Sequence, residues 1–420
     1  MSATTTTTLQ QALATTDSGE KEQLLRQILD QPAGPRDEEL LKEKESAILE
    51  LGKIYRDQKD ATKLAQVVKD SRPLVEHLAK AKTAKMIRTL LDYFDAIPDS
   101  TVTQIEATKE SAEWAKSEKR IFLKQNLETR LVGLYIQNQN YKDALALINS
   151  LLRELKRLDD KMILTEVHLL ESKVNYSLVN MPKAKAALVS ARTAANSIYC
   201  PPQLQAQLDL QSGVLHAEEK DYKTAYSYFF EAFEGLSSQE DAKSVLALKY
   251  MLLCKIMLGL SEDVNSILNG KLAQKYSGQD TDAMKAVAKA HSDRSLSDFE
   301  QLLQKHKSEL SDDPIIRNHL SALYDTLLEQ NLVRIIEPFS RVEISHVAEL
   351  VKQPVREVET KLSQMILDKV FHGILDQGAG CLIVFDEPEV DKAYDTSLET
   401  IGHVSQIVEQ LFQRTRTAAI

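Results

Sequence analysis

The chain repeats itself with a period of about 40 residues, and that period constrains its fold more than any other feature. A small residue, an apolar residue four positions on and another three beyond that recur as Ala61–Ala65–Val68, Ala144–Ile148–Leu151, Ala184–Leu188–Ala191 and Ala225–Phe229–Ala232. The last three copies start 40 and 41 residues apart, and the first precedes them by 83, about two periods. Each copy follows a polar turn (RDQKD, NQN, LVNMP, EEKD), and each turn follows another amphipathic segment, such as ETRLVGLYIQ or LQAQLDLQSGVLHA. A single helix–turn–helix unit of this length cannot bury its own apolar face, so neighbouring units must stack into an α-solenoid. Ala144, Ala184, Ala225 and Phe229 are expected in the repeat core, with the small residue where the two helices of a unit cross closely.

The stretch DYKTAYSYFFEAFE, at 221–234, fits this reading although it looks unlike the rest of a chain that is only 6% aromatic. Tyr222, Ala225, Tyr226, Phe229, Phe230 and Phe233 fall on one helical face, so the rings are expected to form inter-helix core rather than a ligand box. Tyr228 lies off that stripe and is the expected exposed contact. Further pairs extend the repeats: KESAILELGKIY with ATKLAQVVKD, SVLALKYMLLCKIML with EDVNSILNGKLA, and DAMKAVAKAH with SLSDFEQLLQKH. Only 13 glycines and 11 prolines interrupt the chain, and Pro182, Pro201, Pro202 and Pro314 stand where helices are expected to begin. Ser297 with Glu300 reads as a capping box.

After Asp313–Pro314 the pattern changes. IIRNHLSALYDTLLEQNLVRIIEPF reads as a helix, RVEI as a short strand and SHVAELV as a helix capped by Ser345. PVREVETKLSQMILDKV, opened by Pro354, is a second helix. FHGILDQGAGCLIVFD reads as a β-hairpin turning at Gln377-Gly378-Ala379-Gly380. This order is that of a winged helix. Leu382 and Val384 are expected on a wing edge that a neighbouring strand could extend. The last segment, AYDTSLETIGHVSQIVEQLFQRTR, spaces Tyr394, Leu398, Ile401, Ser405, Val408 and Phe412 alternately by four and three, as a coiled-coil seam does. Such a seam either folds back on its own wing or joins a helix bundle with other chains, and the second is the commoner use.

Charge and motifs exclude several function classes. The net charge of −10 opposes nucleic-acid binding, which depends on neutralising phosphates. The helix that would read DNA balances Arg356, Lys361 and Lys369 against Glu357, Glu359 and Asp368. Cys200, Cys254 and Cys381 are too few and too scattered for a disulfide framework, which fits a reducing compartment. The N-terminal stretch lacks a signal peptide's apolar region, and no run approaches a membrane span, so neither secretion nor insertion is expected. There is no phosphate loop, HExxH, HxH, GxSxG or CxxC, so no catalytic, cofactor-binding or metal-ligating residues are assigned. Cys200, in YCPP, reads as a small buried apolar residue. The mixed-sign runs RELKRLDDK (153–161) and SEKR (117–120) read as solvated helix ends.

Long strings match one family in order: EWAKSEKRIFLKQNLETRLVGLY, ARTAANSIYCPPQLQAQLDLQSGVLHAEEKDYKTAYSYFFEAFE, LKYMLLCKIML, IIEPFSRVEISHVAELV and KLSQMILDKVFHGILDQGAGCLIVFDEP. On these, residues 40 to 412 resemble the non-ATPase regulatory subunit 11 family of the 26S proteasome lid, while the first thirty or so do not match clearly. The resemblance implies a non-catalytic scaffold without cofactor, whose winged helix is part of a PCI domain that joins other lid subunits. It implies that the terminal helix, through Tyr394, Leu398, Ile401, Val408 and Phe412, enters the lid's helical bundle. It also implies that the solenoid arm reaches an ATPase subunit and the outer ring of the peptidase core, in cytoplasm and nucleus. A paralogous subunit of the cullin-directed signalosome is the alternative.

The expected fold is therefore mainly α: a tetratricopeptide-like solenoid, a winged helix and a terminal helix. The expected boundaries are a flexible threonine-rich tail at 1–20, repeats at 21–312, the winged helix at 313–390 and the bundle helix at 391–420. With its adjoining repeats the PCI module spans about 222–390.

Overall fold

The computed structural model describes residues 18–30, 38–72, 80–98, 100–307, 310, 313–385 and 392–418. Of the expected tail, 1–17 lie outside the described residues, whereas 18–20 already belong to the first helix. The chain divides into two compact units, one through Cys254 and one from Lys255 onward.

The first unit is built of helices: α1 (Ser18–Asp30), α2 (Glu38–Asp57), α3 (Ala61–Asp70), α4 (Lys80–Asp92), α5 (Thr101–Ser117), α6 (Ile121–Gln137), α7 (Tyr141–Leu158), α8 (Lys161–Ser177), α9 (Met181–Asn196), α10 (Pro202–Glu218) and α11 (Tyr222–Ser237), followed by α12 (Lys243–Met257), which runs into the second unit. Sequential helices pack as hairpins, α8 on α9 and α10 on α11 most extensively. Ala144, Ala184, Ala225 and Phe229 are all buried. Small residues at these crossings let the partner backbones approach.

One turn recurs between these helices. Lys59, Lys119, Gln139, Asp159, Val179, Lys220 and Glu240 all adopt left-handed φ, between 53° and 66°. After several of them the next N–H reaches back across the turn, as Asp60 does to the Tyr55 carbonyl (3.0 Å), Asn140 to Tyr135 (2.9 Å), Asn180 to Asn175 (2.8 Å) and Asp221 to His216 (3.0 Å). These bonds satisfy orphan carbonyls at the helix end. The side chains of Asp60, Asp160, Asn180 and Asp221 then accept from the N–H three residues on, capping the next helix. At Lys59, Asp159, Val179 and Lys220, a left-handed residue followed by Asp or Asn thus stops one helix and starts the next. The sequence signal for it is faint, because glycine is not used.

The second unit holds α13 (Ser261–Leu268), α14 (Lys271–Gln274), α15 (Gln279–Ser292), α16 (Leu296–Lys305), α17 (Pro314–Ile336), β1 (Arg341–Glu343), α18 (Ile344–Val351), α19 (Val355–Leu367), β2 (His372–Asp376), β3 (Cys381–Phe385) and α20 (Lys392–Ala418). The division between units falls inside the repeats rather than at 312/313, since α16 is tied to the winged helix. Gln353 Nε2 donates to Glu300 Oε1 (2.9 Å) and Tyr324 Oη (2.8 Å), and Tyr324 Oη donates to Glu300 Oε1 (3.0 Å). The winged-helix core gathers Leu332, Ile336, Val347, Val358, Leu362 and Leu382, among others.

Two expected caps move. Ser295, not Ser297, caps α16 by accepting from the Asp298 N–H at 3.3 Å. Ser345 lies inside α18, which begins directly from β1 at Ile344, whose N–H is held by the Gly380 carbonyl at 3.0 Å. A strand that runs straight into a helix leaves no room for the expected cap.

Candidate assembly surfaces

The last helix carries the most exposed apolar surface described. Every described side chain from 393 to 415 is exposed. Tyr394, Leu398, Ile401, Val408 and Phe412 are 54–67% exposed, and Val404, Ile407 and Leu411 flank them similarly. Burying a large apolar side chain is worth about 1.5–3 kcal/mol, so covering eight of them supplies on the order of 10 kcal/mol before ordering costs. Monomeric soluble proteins rarely leave such a stripe bare.

The wing differs from its expectation. The sheet order is β1-β3-β2, antiparallel throughout, with Leu382 opposite both Val342 and Leu375. β3 is therefore the middle strand, Leu382 is 0% exposed, and neither it nor Val384 lies on an edge. The hairpin was legible, but the return of β1 to the far side of β3 was not, because three residues carry little strand signal. Among the described residues the edge strands are β1 and β2. Near β2, Leu367, Val370, Ile374 and Phe385 are exposed; of these the spacing of 354–370 places only Val370 on an apolar face, and that residue stays outside the core. Asp376 Oδ1 accepts from the Gly378 and Ala379 N–H groups at 3.0 and 3.1 Å, and Gly380 turns with φ +62°.

In the solenoid, Tyr228 is not the free contact expected. It is half-buried, stacked on His216 with ring centroids 5.4 Å apart, and covered by the Arg192 guanidinium 4.5 Å from its centroid. Arg192 also donates to Asp209 Oδ1 (2.7 Å) and Tyr228 Oη (3.2 Å). Burial raises the Asp209 carboxyl, although Gln205 and Arg192 oppose the shift. Phe230, placed on the stripe by periodicity, is instead exposed, because the α11 stripe is wider than the face its neighbours cover.

Reactive groups are muted. Cys200, Cys254 and Cys381 are free. Burial pushes the Cys254 thiol up to about 12 and raises Cys200, which disfavours the thiolate. Cys200 is only half-buried rather than enclosed. Among the described residues no cluster of three His, Cys, Asp or Glu could hold a metal ion, and no helix is long and apolar enough to cross a membrane.

Three family models match in order along the chain. The 26S proteasome regulatory subunit RPN6 N-terminal domain matches residues 3–138, the PCI domain 303–386 and the 26S proteasome subunit RPN6 C-terminal helix domain 390–416. A probable 26S proteasome regulatory subunit rpn6 of Schizosaccharomyces pombe is 55% identical over 386 residues, 92% of each chain. This chain belongs to the RPN6 family of 26S proteasome regulatory subunits. The 26S proteasome non-ATPase regulatory subunit 11 homolog of Arabidopsis thaliana is 52% identical over 98% of this chain and 97% of its own length. The Saccharomyces cerevisiae RPN6 subunit is 51% identical over 90% of this chain. The N-terminal match starts at residue 3, so the RPN6 likeness reaches into the stretch that the sequence reading left outside it. The exposed seam of α20 coincides with the part that RPN6 subunits share as a helix domain of its own.

Proposed function

We propose that the chain is a non-catalytic scaffold subunit of the 26S proteasome lid, and that it clamps lid to ATPase base and peptidase core during ATP-dependent degradation of ubiquitinated proteins. The observation that carries this reading is the exposed apolar seam of α20, whose spacing suits packing against other helices. The winged helix joins neighbouring lid subunits through its edge strands, β2 first, because Ile374 stands exposed there. The solenoid arm reaches an ATPase subunit and the outer ring of the core, since stacked repeats make a long surface with a patch per repeat. Cytoplasm and nucleus are the compartments proposed, in keeping with the free cysteines. Membership of the RPN6 family disfavours the signalosome alternative.

The test is size exclusion of a gentle native extract with ATP and low salt. Co-elution of the chain with ATP-dependent peptidase activity at megadalton size is the expected result. Elution in a smaller complex without peptidase would overturn it.

A further inference from the structure

The turns that enter α6, α8 and α10 share one edge of the first unit, because consecutive helices run antiparallel. Lys124 Nζ, at the start of α6, lies 2.9 Å from both carboxylate oxygens of Glu154 near the end of α7. Met162, at the start of α8, packs on the same apolar cluster as Cys200 ahead of α10. The mixed-charge runs SEKR and RELKRLDDK thus come together here. Along this edge stand side chains that a merely solvated end does not need: Phe122 is 69% exposed, Leu158 48% and Tyr199 87%. One large apolar group stands at each of these three turns.

The charge of this edge opposes that of the chain. Segments 116–122 and 153–161 carry seven basic and four acidic residues, against a net charge of −10 overall. Two of the four acids are already engaged: Glu154 pairs with Lys124, and Asp160 caps α8. Lys119, Arg153, Lys156 and Arg157 are exposed and make no ion pair with the described residues.

We infer that this edge docks a protein surface presenting carboxylates around apolar sockets. The cations steer and orient such a surface, while Phe122, Leu158 and Tyr199 fill its sockets. A nucleic acid fits less well, since Leu158 offers no stacking face and the Glu118 and Asp159 carboxylates stand among the cations. The inference rests on the scaffold reading, for which it supplies the chemistry of one arm contact.

The experiment uses the assembled complex purified through another subunit. A zero-length carbodiimide joins amines to carboxylates only where they touch, and mass spectrometry identifies the joined peptides. Lys119 or Lys156 is expected to link to an Asp or Glu of another subunit. Two variants then compete with the wild-type chain for incorporation: Lys156→Glu with Arg157→Glu, and Phe122→Ala with Leu158→Ala. Each is expected to be under-represented roughly tenfold, the first more strongly at low salt than at high salt. All four side chains are exposed, so thermal melting should not change. Absence of the cross-links, or wild-type incorporation of both variants, overturns the inference. So does loss of poly(U) RNA binding by the charge variant with protein assembly intact. The cross-links are scored on whatever complex the wild-type chain enters. A complex without peptidase activity would therefore sink the scaffold reading while leaving the edge to stand or fall on its own contacts.

Discussion

Phe229 packs directly on the backbone of Gly213: a Cβ built on that glycine would stand 2.6 Å from Phe229 Cε1 and 2.7 Å from Cδ1. The α10–α11 crossing is thus set by the absence of one carbon. Gly213→Ala removes an entropic liability of glycine but forces the buried ring to shift. Overpacking of this kind costs about 1–3 kcal/mol, and a melting temperature lower by several degrees is the expected outcome. Unchanged melting would show that the crossing can relax. Ala225→Trp, at the same crossing from the other helix, should destabilise more.

Val179 carries a β-branched side chain at φ +58° and is exposed in the α8–α9 turn. That conformation strains any L-residue with a Cβ and a branched one most. Val179→Asn keeps the turn and lowers the strain, so the urea midpoint should rise by an amount equivalent to about 1 kcal/mol. A fall would mean that the valine makes a stabilising contact.

Lys173 is half-buried on α8, and burial, helped by the nearby Lys243 charge, lowers it from 10.5 to about 8. The folded state then binds this proton more weakly than the unfolded state. The penalty is fully present below about pH 8 and fades as pH rises toward 10.5. Stability carried by this group should therefore increase across that window. Lys173→Met should stabilise the protein at pH 7 by on the order of 2–3 kcal/mol and flatten the rise. Denaturant titrations at pH 7, 8, 9 and 10 check both; a variant that is less stable at pH 7 would contradict them.

Removal of α20 should leave the remaining fold intact, since its described side chains are exposed. The truncated chain is expected to melt like the full one yet fail to co-purify with its complex. Leu398→Asp with Ile401→Asp should act alike without shortening the chain. Normal stoichiometry of either variant would remove α20 from assembly.

Much of this architecture was legible because helical repeats declare themselves locally. Ala144, Ala184 and Ala225 recur because every unit meets the same packing constraint, and the terminal seam shows in spacing alone. The hairpin could be read from Gly378 and Gly380. The turns were harder: Lys59, Gln139 and Val179 adopt left-handed backbone that their identities do not announce, and at each the next residue's N–H donates to a carbonyl five residues before it. Likewise, the neighbours of Ser345 in sequence suit a cap, but β1 feeds straight into α18.

What the sequence by itself determined is the period, the helix faces, the winged-helix order and the bare seam, since each is a matter of near neighbours along the chain. Only the tertiary structure decided which faces are covered. It made β3 the middle strand and so buried Leu382. It closed Arg192 and His216 over Tyr228 and left Phe230 outside. It also brought SEKR and RELKRLDDK to one edge beside Phe122 and Leu158. Burial and charge neighbourhood are sums over residues distant in sequence, and no local pattern carries that sum.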